Sequence, residues 1–429
     1  MSLLQVSILC LIYTKSLSFI LYIIYNEFKK TQYNFNFIFS LCYIVTFYFG
    51  FPFTIILAFY FKIKTASFFA TLLTLIISFI FYLIYYITYK FKFQISHKTN
   101  KKITIDLNTT ETYITSIILI LISIITSCIF FLQNGFLLFY LKSYNQLFSD
   151  QISNIFLKHF FYFFIPGMLI YFFLQPNYYR WLLFLFTTTF FGIFNYLIVG
   201  GTRANIIISI ILFIFIGVIY KRINIYFLSI SIITIIIIMF LLALKRYNLY
   251  IDTTNIFYTF LYLTRDTFSP WENLCYLLDK YQNIKCQGLS SIIHNFYIFI
   301  PQFIWENKPK HILNTINYFT WEIMHNYSGI AISPTIIGSS IIIGKIIYLP
   351  IASICIAIII KWFDILYVNK NNNIIQQTFY YSNIFNIIIL VRDGIDYFIV
   401  KLTFFLFIYY ISVIIAKMIY KYCIKNAYD

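Results

Sequence analysis

Along this chain, apolar residues run on for about 20 positions at a time and then give way to short polar clusters, from one end to the other. Each run is long enough to cross a bilayer as a helix. A transmembrane barrel would instead alternate apolar and polar positions within segments of about 10 residues, and that pattern is missing. The runs predict eleven spans, at roughly 3–25, 37–61, 67–89, 113–132, 160–175, 181–199, 204–220, 225–244, 341–361, 376–391 and 397–420. The first is not read as a cleavable signal peptide. No cation precedes Lys15, and Lys29 and Lys30 follow the run. The fold class that follows is an all-α polytopic membrane protein of the inner-membrane type, with about 11 transmembrane helices.

The polar clusters carry the orientation. Loops 26–35, 90–112, 176–180, 221–224 and 361–375, with the tail 417–429, hold 15 Lys and Arg; the alternate short loops 62–66, 133–159, 200–203 and 392–396 hold 6. Cytoplasmic loops carry the excess of cations, so the first set is read as cytoplasmic. The N-terminus then faces out and the C-terminus in. Three regions follow: helices 1 to 8 in residues 1–244, a large periplasmic loop in 245–340, and helices 9 to 11 with a short cytoplasmic tail in 341–429. The loop holds 3 of the 5 His, 3 of the 5 Trp and 6 of the 14 carboxylates. It is long and apolar, which argues for function rather than disorder. Within it, 289–304 is apolar but broken by His294, Asn295 and Pro301, and reads as a helix on the membrane surface.

Composition sharpens this reading. The chain of 429 residues is 61% hydrophobic and 10% charged, which excludes an ordinary soluble domain and a disordered chain. Its net charge of +17 lies mostly between the spans, so it does not point to nucleic acid. Ile, Phe, Tyr, Asn and Lys abound, as an AT-rich genome would produce, and against that bias only six Arg remain: Arg180, Arg203, Arg222, Arg246, Arg265 and Arg392. The seven Cys include no CxxC, and Cys275 and Cys286 fall in the predicted external loop, where a disulfide is permitted.

No DxD, HExxH, GxGxxG or P-loop is present, so neither a metal nor a cofactor is expected. No Asp or Glu stands in the middle of a predicted span, which argues against an ion-coupled transporter. The charges gather at the external ends instead: Gly200-Gly201-Thr202-Arg203, Lys245-Arg246, Arg265-Asp266-Thr267 and Arg392-Asp393. Guanidinium forks bind phosphate in a bidentate manner, so Arg203, Lys245, Arg246 and Arg392 are candidates for substrate binding. The plainer role for each is snorkelling to lipid headgroups. Arg265, Asp266, Glu272 and Glu322 are the catalytic candidates, as carboxylates for proton transfer beside a guanidinium. Glu272 lies seven residues after Arg265 with Pro270 between, and a local ion pair is its plainer role. His325 and Tyr327 complete the binding set.

Several long runs carry a family resemblance. They are GGTRANIIISIILFIFIGV (200–218), LALKRY (242–247), FYTFLYLTRDTFSPWENL (257–274), NYFTWE (317–322), SGIAISPTIIGS (328–339) and IIKWFDILY (359–367), with NGFLLF (134–139), FFYFFIP (160–166) and the start MSLLQ. The chain resembles the enterobacterial common antigen polymerases, a family of Wzy-type lipid-linked oligosaccharide polymerases. That resemblance implies a glycosyltransferase of the C type working at the periplasmic face of the inner membrane. It implies trisaccharide repeats on undecaprenyl pyrophosphate as substrate, with the nascent glycan moved from its carrier onto the next lipid-linked repeat. It also implies a Wzz-type chain-length co-polymerase and the repeat-unit flippase as partners, membrane lipids as surroundings, and no metal. The chain departs from the family pattern at His294-Asn295, Lys308 and Tyr327, where Arg-Asp, Arg and His are expected. A lipid-linked oligosaccharide flippase and an O-antigen ligase are the alternatives.

Overall fold

The computed structural model describes residues 2–31, 33–63, 65–91, 108–140, 152, 154–201, 204–246, 256–300, 305, 313–327, 331–368 and 373–428. Nineteen α-helices are found among them, and no strand. In chain order they are α1 (Leu3–Thr31), α2 (Phe35–Phe47), α3 (Phe51–Tyr60), α4 (Phe68–Lys90), α5 (Thr109–Asn134), α6 (Leu137–Tyr140), α7 (Phe164–Leu174), α8 (Tyr178–Ile198), α9 (Ala204–Ile219) and α10 (Ile225–Arg246). After these come α11 (Ile256–Phe268), α12 (Trp271–Asp279), α13 (Ser290–Phe296), α14 (Thr315–Tyr318), α15 (Thr335–Gly344), α16 (Tyr348–Val368), α17 (Ile374–Ser382), α18 (Ile384–Asp393) and α19 (Ile395–Tyr428).

Every predicted span falls on helix. Nine stretches among the described residues are long and apolar enough to cross a membrane, so the chain is a multi-pass membrane protein. The run at 204–220 is helix α9, shorter than those nine, and the run at 225–244 is α10. Boundaries follow local chemistry. Asn34, Ser67 and Asn177 each accept the N–H of the residue three positions on, so they cap α2, α4 and α8. Glu111 accepts from Asn108 N at 3.0 Å at the start of α5, and Gly135 ends that helix at φ 66°.

Three spans are not the single rods that hydropathy implies. The run 37–61 breaks at Tyr48–Gly50 into α2 and α3, with Pro52 in the first turn of α3. The run 376–391 breaks at the buried Asn383, whose side chain donates to Phe379 O at 2.7 Å and accepts from Asn386 Nδ2 at 2.7 Å. The run 341–361 starts at Tyr348 instead, because 335–344 forms its own helix, α15, closed by Lys345 at φ 56°.

Helix α15 is buried along nearly its whole length, beside α12, α16 and α18. The main core runs through α2, α4, α7, α12, α15, α16 and α18. Polar groups inside it are used as ties. Asp364, within the apolar α16, accepts Phe35 N at 2.6 Å, Asn36 N at 3.3 Å and Tyr89 Oη at 2.8 Å, and so caps α2 from across the bundle. Asp396, fully buried at the start of α19, accepts Thr315 N at 3.1 Å and Thr315 Oγ1 at 2.7 Å. Gly394 stands at φ 115°, and a Cβ there would lie 2.5 Å from Ser339 Cβ, so α15 and the α18–α19 bend meet where only glycine fits.

Candidate functional site

The site begins with the break between α2 and α3. Unwinding at Tyr48–Gly50 frees backbone groups that a continuous helix would satisfy internally. Ser269, in the turn between α11 and α12, fills the gap. Its Oγ donates to Thr46 O at 2.7 Å and accepts Gly50 N at 2.9 Å. The approach is close: a Cβ on Gly50 would lie 2.8 Å from Ser269 Cβ and 2.9 Å from Trp271 Cδ1. Trp271 is itself buried and its ring tilts against Phe51 at 5.5 Å. The α11–α12 turn is thus seated on α3, with α12 packed along α4.

That turn folds the chain back on itself and brings Arg265, in the last turn of α11, onto Glu272, in the first turn of α12. Arg265 Nη1 lies 2.6 Å from Glu272 Oε2, and both residues are buried. The ends match the helix dipoles, cation at a C-terminus and anion at an N-terminus. Tyr262, one turn before Arg265, stacks its ring 5.1 Å from the guanidinium carbon. On the far side, Tyr276 Oη donates to Glu272 Oε1 at 3.4 Å. Burial first, and the Glu272 carboxylate second, push the Tyr276 phenol up to about 12, so it stays a donor at neutral pH. A small cavity of about 10 Å³, room for about one water, touches Glu272 and is walled by Thr54, Thr65, Thr71, Trp271 and Cys275.

Comparison with known families settles what this frame belongs to. The family described as "WzyE protein, O-antigen assembly polymerase" matches residues 1–427. The chain belongs to the WzyE family. No solved structure matches it.

In this WzyE-family chain, the junction unites two of the predicted catalytic residues, Arg265 and Glu272. Asp266 lies in α11, but its side chain is outside the described residues, as are those of Lys245 and Arg246 in the last turn of α10. Arg203 and Lys308 lie outside the described residues altogether. Glu322 sits exposed in a π-helical turn at Phe319–Ile323, with no hydrogen bond or ion pair among the described residues. His325 is exposed at φ 50°, and Tyr327 is 73% exposed. Arg392 lies in the last turn of α18, half-buried.

A polar chain, which sequence reasoning missed, links the Glu272 and Arg392 helices. Asn273 Nδ2 donates to Ser333 O at 2.9 Å, and Ser333 Oγ donates to Asp393 Oδ1 at 2.5 Å. A second missed group joins Lys401 Nζ to His159 Nδ1 at 2.7 Å, with Lys158 beside them. The legible signal was the same for both: charged residues inside or at the rim of apolar runs, at positions 158, 393 and 401. The segment 289–304 departs from its predicted surface helix. Only Ser290–Phe296 is α-helical, it packs on α19, and Asn295 is buried, accepting from Asn314 Nδ2 at 3.1 Å. Residues 301–304 are outside the described set. Cys275 and Cys286 are both free thiols: Cys275 is buried in α12 and Cys286 donates to Ile343 O at 2.7 Å. Among the described residues no three His, Cys, Asp or Glu group closely enough to hold a metal ion.

Proposed function

We propose that this WzyE-family polymerase extends the enterobacterial common antigen, moving a nascent glycan from undecaprenyl pyrophosphate onto the next lipid-linked trisaccharide repeat. The match over residues 1–427 carries the polymerase reading. The resemblance in its longest runs supports the substrate, and the excess of cations on the alternate loops supports a periplasmic site in an inner membrane. On this reading a Wzz-type co-polymerase and the repeat-unit flippase work beside it.

Transfer breaks a sugar–phosphate bond, and negative charge grows on the departing pyrophosphate. A guanidinium held in place before the reaction stabilises that charge without reorganising. Arg265 fits this task, because Glu272 and Tyr262 fix its plane while one ion-pair contact leaves further N–H donors for the phosphate. Glu272 positions the guanidinium, and its Oε1 takes the proton of the acceptor hydroxyl. Arg203, Lys245, Arg246 and Arg392 supply cations for the two lipid-linked substrates, with Asp266, Glu322, His325 and Tyr327 toward the sugars.

The deciding experiment gives the purified chain synthetic undecaprenyl-pyrophosphate trisaccharide with EDTA and no added metal. A ladder of longer glycans is expected. No ladder, or one that needs magnesium, defeats the reading, and transfer only to lipid A core would make the chain a ligase. Orientation is checked separately with reporters fused after residue 300, expected periplasmic, and at 429, expected cytoplasmic. A cytoplasmic reporter at 300 removes the site from the periplasm.

A further inference from the structure

Helix α1 has one face committed to the bundle and one left over. Leu9, Ser16, Ile20, Ile23 and Glu27 are buried, and α1 packs there on α2 and α4. On the other side, Leu4, Ile8, Leu11, Lys15, Ser18, Tyr22 and Tyr25 are all exposed. Their spacing alternates four and three residues along the helix, which is the seam by which one helix meets another in a left-handed crossing. Lys15 stands in the middle of that seam. At 1.5 Å per residue it is ~18 Å from Leu3 and ~24 Å from Thr31, too far to snorkel to either end.

Lys15 has no hydrogen bond or ion pair among the described residues. An ionisable side chain at membrane depth is costly and is normally paired. One turn away is Ser18, whose hydroxyl is satisfied by Thr14 O at 2.7 Å and whose small side chain lets another backbone come close. Thr14, Lys15, Ser18, Phe19 and Tyr22 together line an open concavity of ≈ 450 Å³.

We propose that this face of α1 is a docking seam for a transmembrane helix of another protein that carries a carboxylate at mid-depth, with Lys15 as its counter-charge. Charge complementarity selects this occupant. A second copy of the chain meeting α1 to α1 sets Lys15 against Lys15. Nor has the chain an Asp or Glu in the middle of any predicted span to offer from elsewhere. A lipid tail satisfies the apolar positions and leaves the ammonium unpaired. The polar pair Lys15 and Ser18 at the centre of an otherwise apolar and aromatic seam also sets the register, as a single polar residue does in a coiled coil.

The test reconstitutes the labelled full chain in neutral lipid vesicles with a labelled Leu–Ala transmembrane peptide bearing one central Glu, or Gln in its place, and reads energy transfer. The wild-type chain should bind the Glu peptide about tenfold more tightly than the Gln peptide, and Lys15→Leu should erase the difference. Lys15→Glu should instead prefer a peptide with a central Lys. Lys15→Leu should unfold no earlier than wild type, since the exposed side chain has no hydrogen bond or ion pair among the described residues. Equal binding of the Glu and Gln peptides, or a Glu preference that survives Lys15→Leu, overturns the proposal. So does self-association of the chain without peptide that is lost in Lys15→Leu, which makes a second copy the occupant. So does loss of Glu-peptide binding when phosphatidylglycerol is included, which makes Lys15 a headgroup site.

Discussion

At the α11–α12 junction, Arg265 and Glu272 are 9% and 7% exposed and bonded to each other; between α14 and α15, Glu322, His325 and Tyr327 are exposed, with no ion pair among the described residues. Both segments lie between α10 and α16 in the chain and carry similar chemistry. The first is seated by a buried serine in the break of another helix. The second leaves a π-helical turn whose Phe319 and Ile323 are buried, with side-chain-to-backbone bonds from Lys280 Nζ to Ile323 O at 2.6 Å and from Ile332 N to Thr320 Oγ1 at 2.9 Å, while its charged side chains face out. A side chain aimed before substrate arrives can stabilise charge electrostatically, whereas an exposed one must first be ordered by the substrate. On the proposed function, bond breaking belongs to the buried pair and sugar contact to the exposed segment.

The strongest break of this contrast is Arg265→Ala. It strands a buried carboxylate, so it should cost about 3–5 kcal/mol in stability and remove polymer altogether. Denaturant unfolding in detergent, beside a glycan ladder, checks both. Glu272→Gln comes next. It keeps the shape and one acceptor oxygen but cannot take a proton, so elongation should fall roughly 100-fold while the lipid-linked donor still binds. A ladder of normal length from this variant would leave Glu272 as a positioning residue alone. Gly50→Ala touches neither charged group and tests whether the seat matters. The new Cβ, 2.8 Å from Ser269 Cβ and 2.9 Å from Trp271 Cδ1, should cost about 1–3 kcal/mol in denaturant unfolding and slow elongation in the glycan ladder. The smallest effect belongs to the exposed segment. Glu322→Gln should change stability by no more than ~0.5 kcal/mol and act on KM more than on kcat. A loss of kcat as large as that of Glu272→Gln would invert the comparison.

Much of the fold was legible in the residues. The runs that predicted eleven spans all fall on helices, because the need to satisfy backbone groups in lipid leaves helix as the local solution for an apolar run. The caps at Asn34, Ser67 and Asn177 follow from local side-chain chemistry as well. The pairing of Arg265 with Glu272 was half legible. Seven residues separate them, but Pro270 interrupts any continuous helix, so spacing alone left an ion pair and a free base equally open. The links Asn273–Ser333–Asp393 and His159–Lys401 were not legible, since their members stand 60 and 242 positions apart.

By itself, then, the chain determined its membrane character, its helical content and its membership of the WzyE family, all properties that accumulate residue by residue along a line. Tertiary structure decided where a hydrophobic rod would break. Gly50 permits a bend, but the bend persists because Ser269, more than 200 positions away, bonds the groups it exposes. Tertiary structure also decided which carboxylate is buried against a cation and which faces out. Hydropathy records what each residue prefers as surroundings, and it holds no information about which distant segment will provide them.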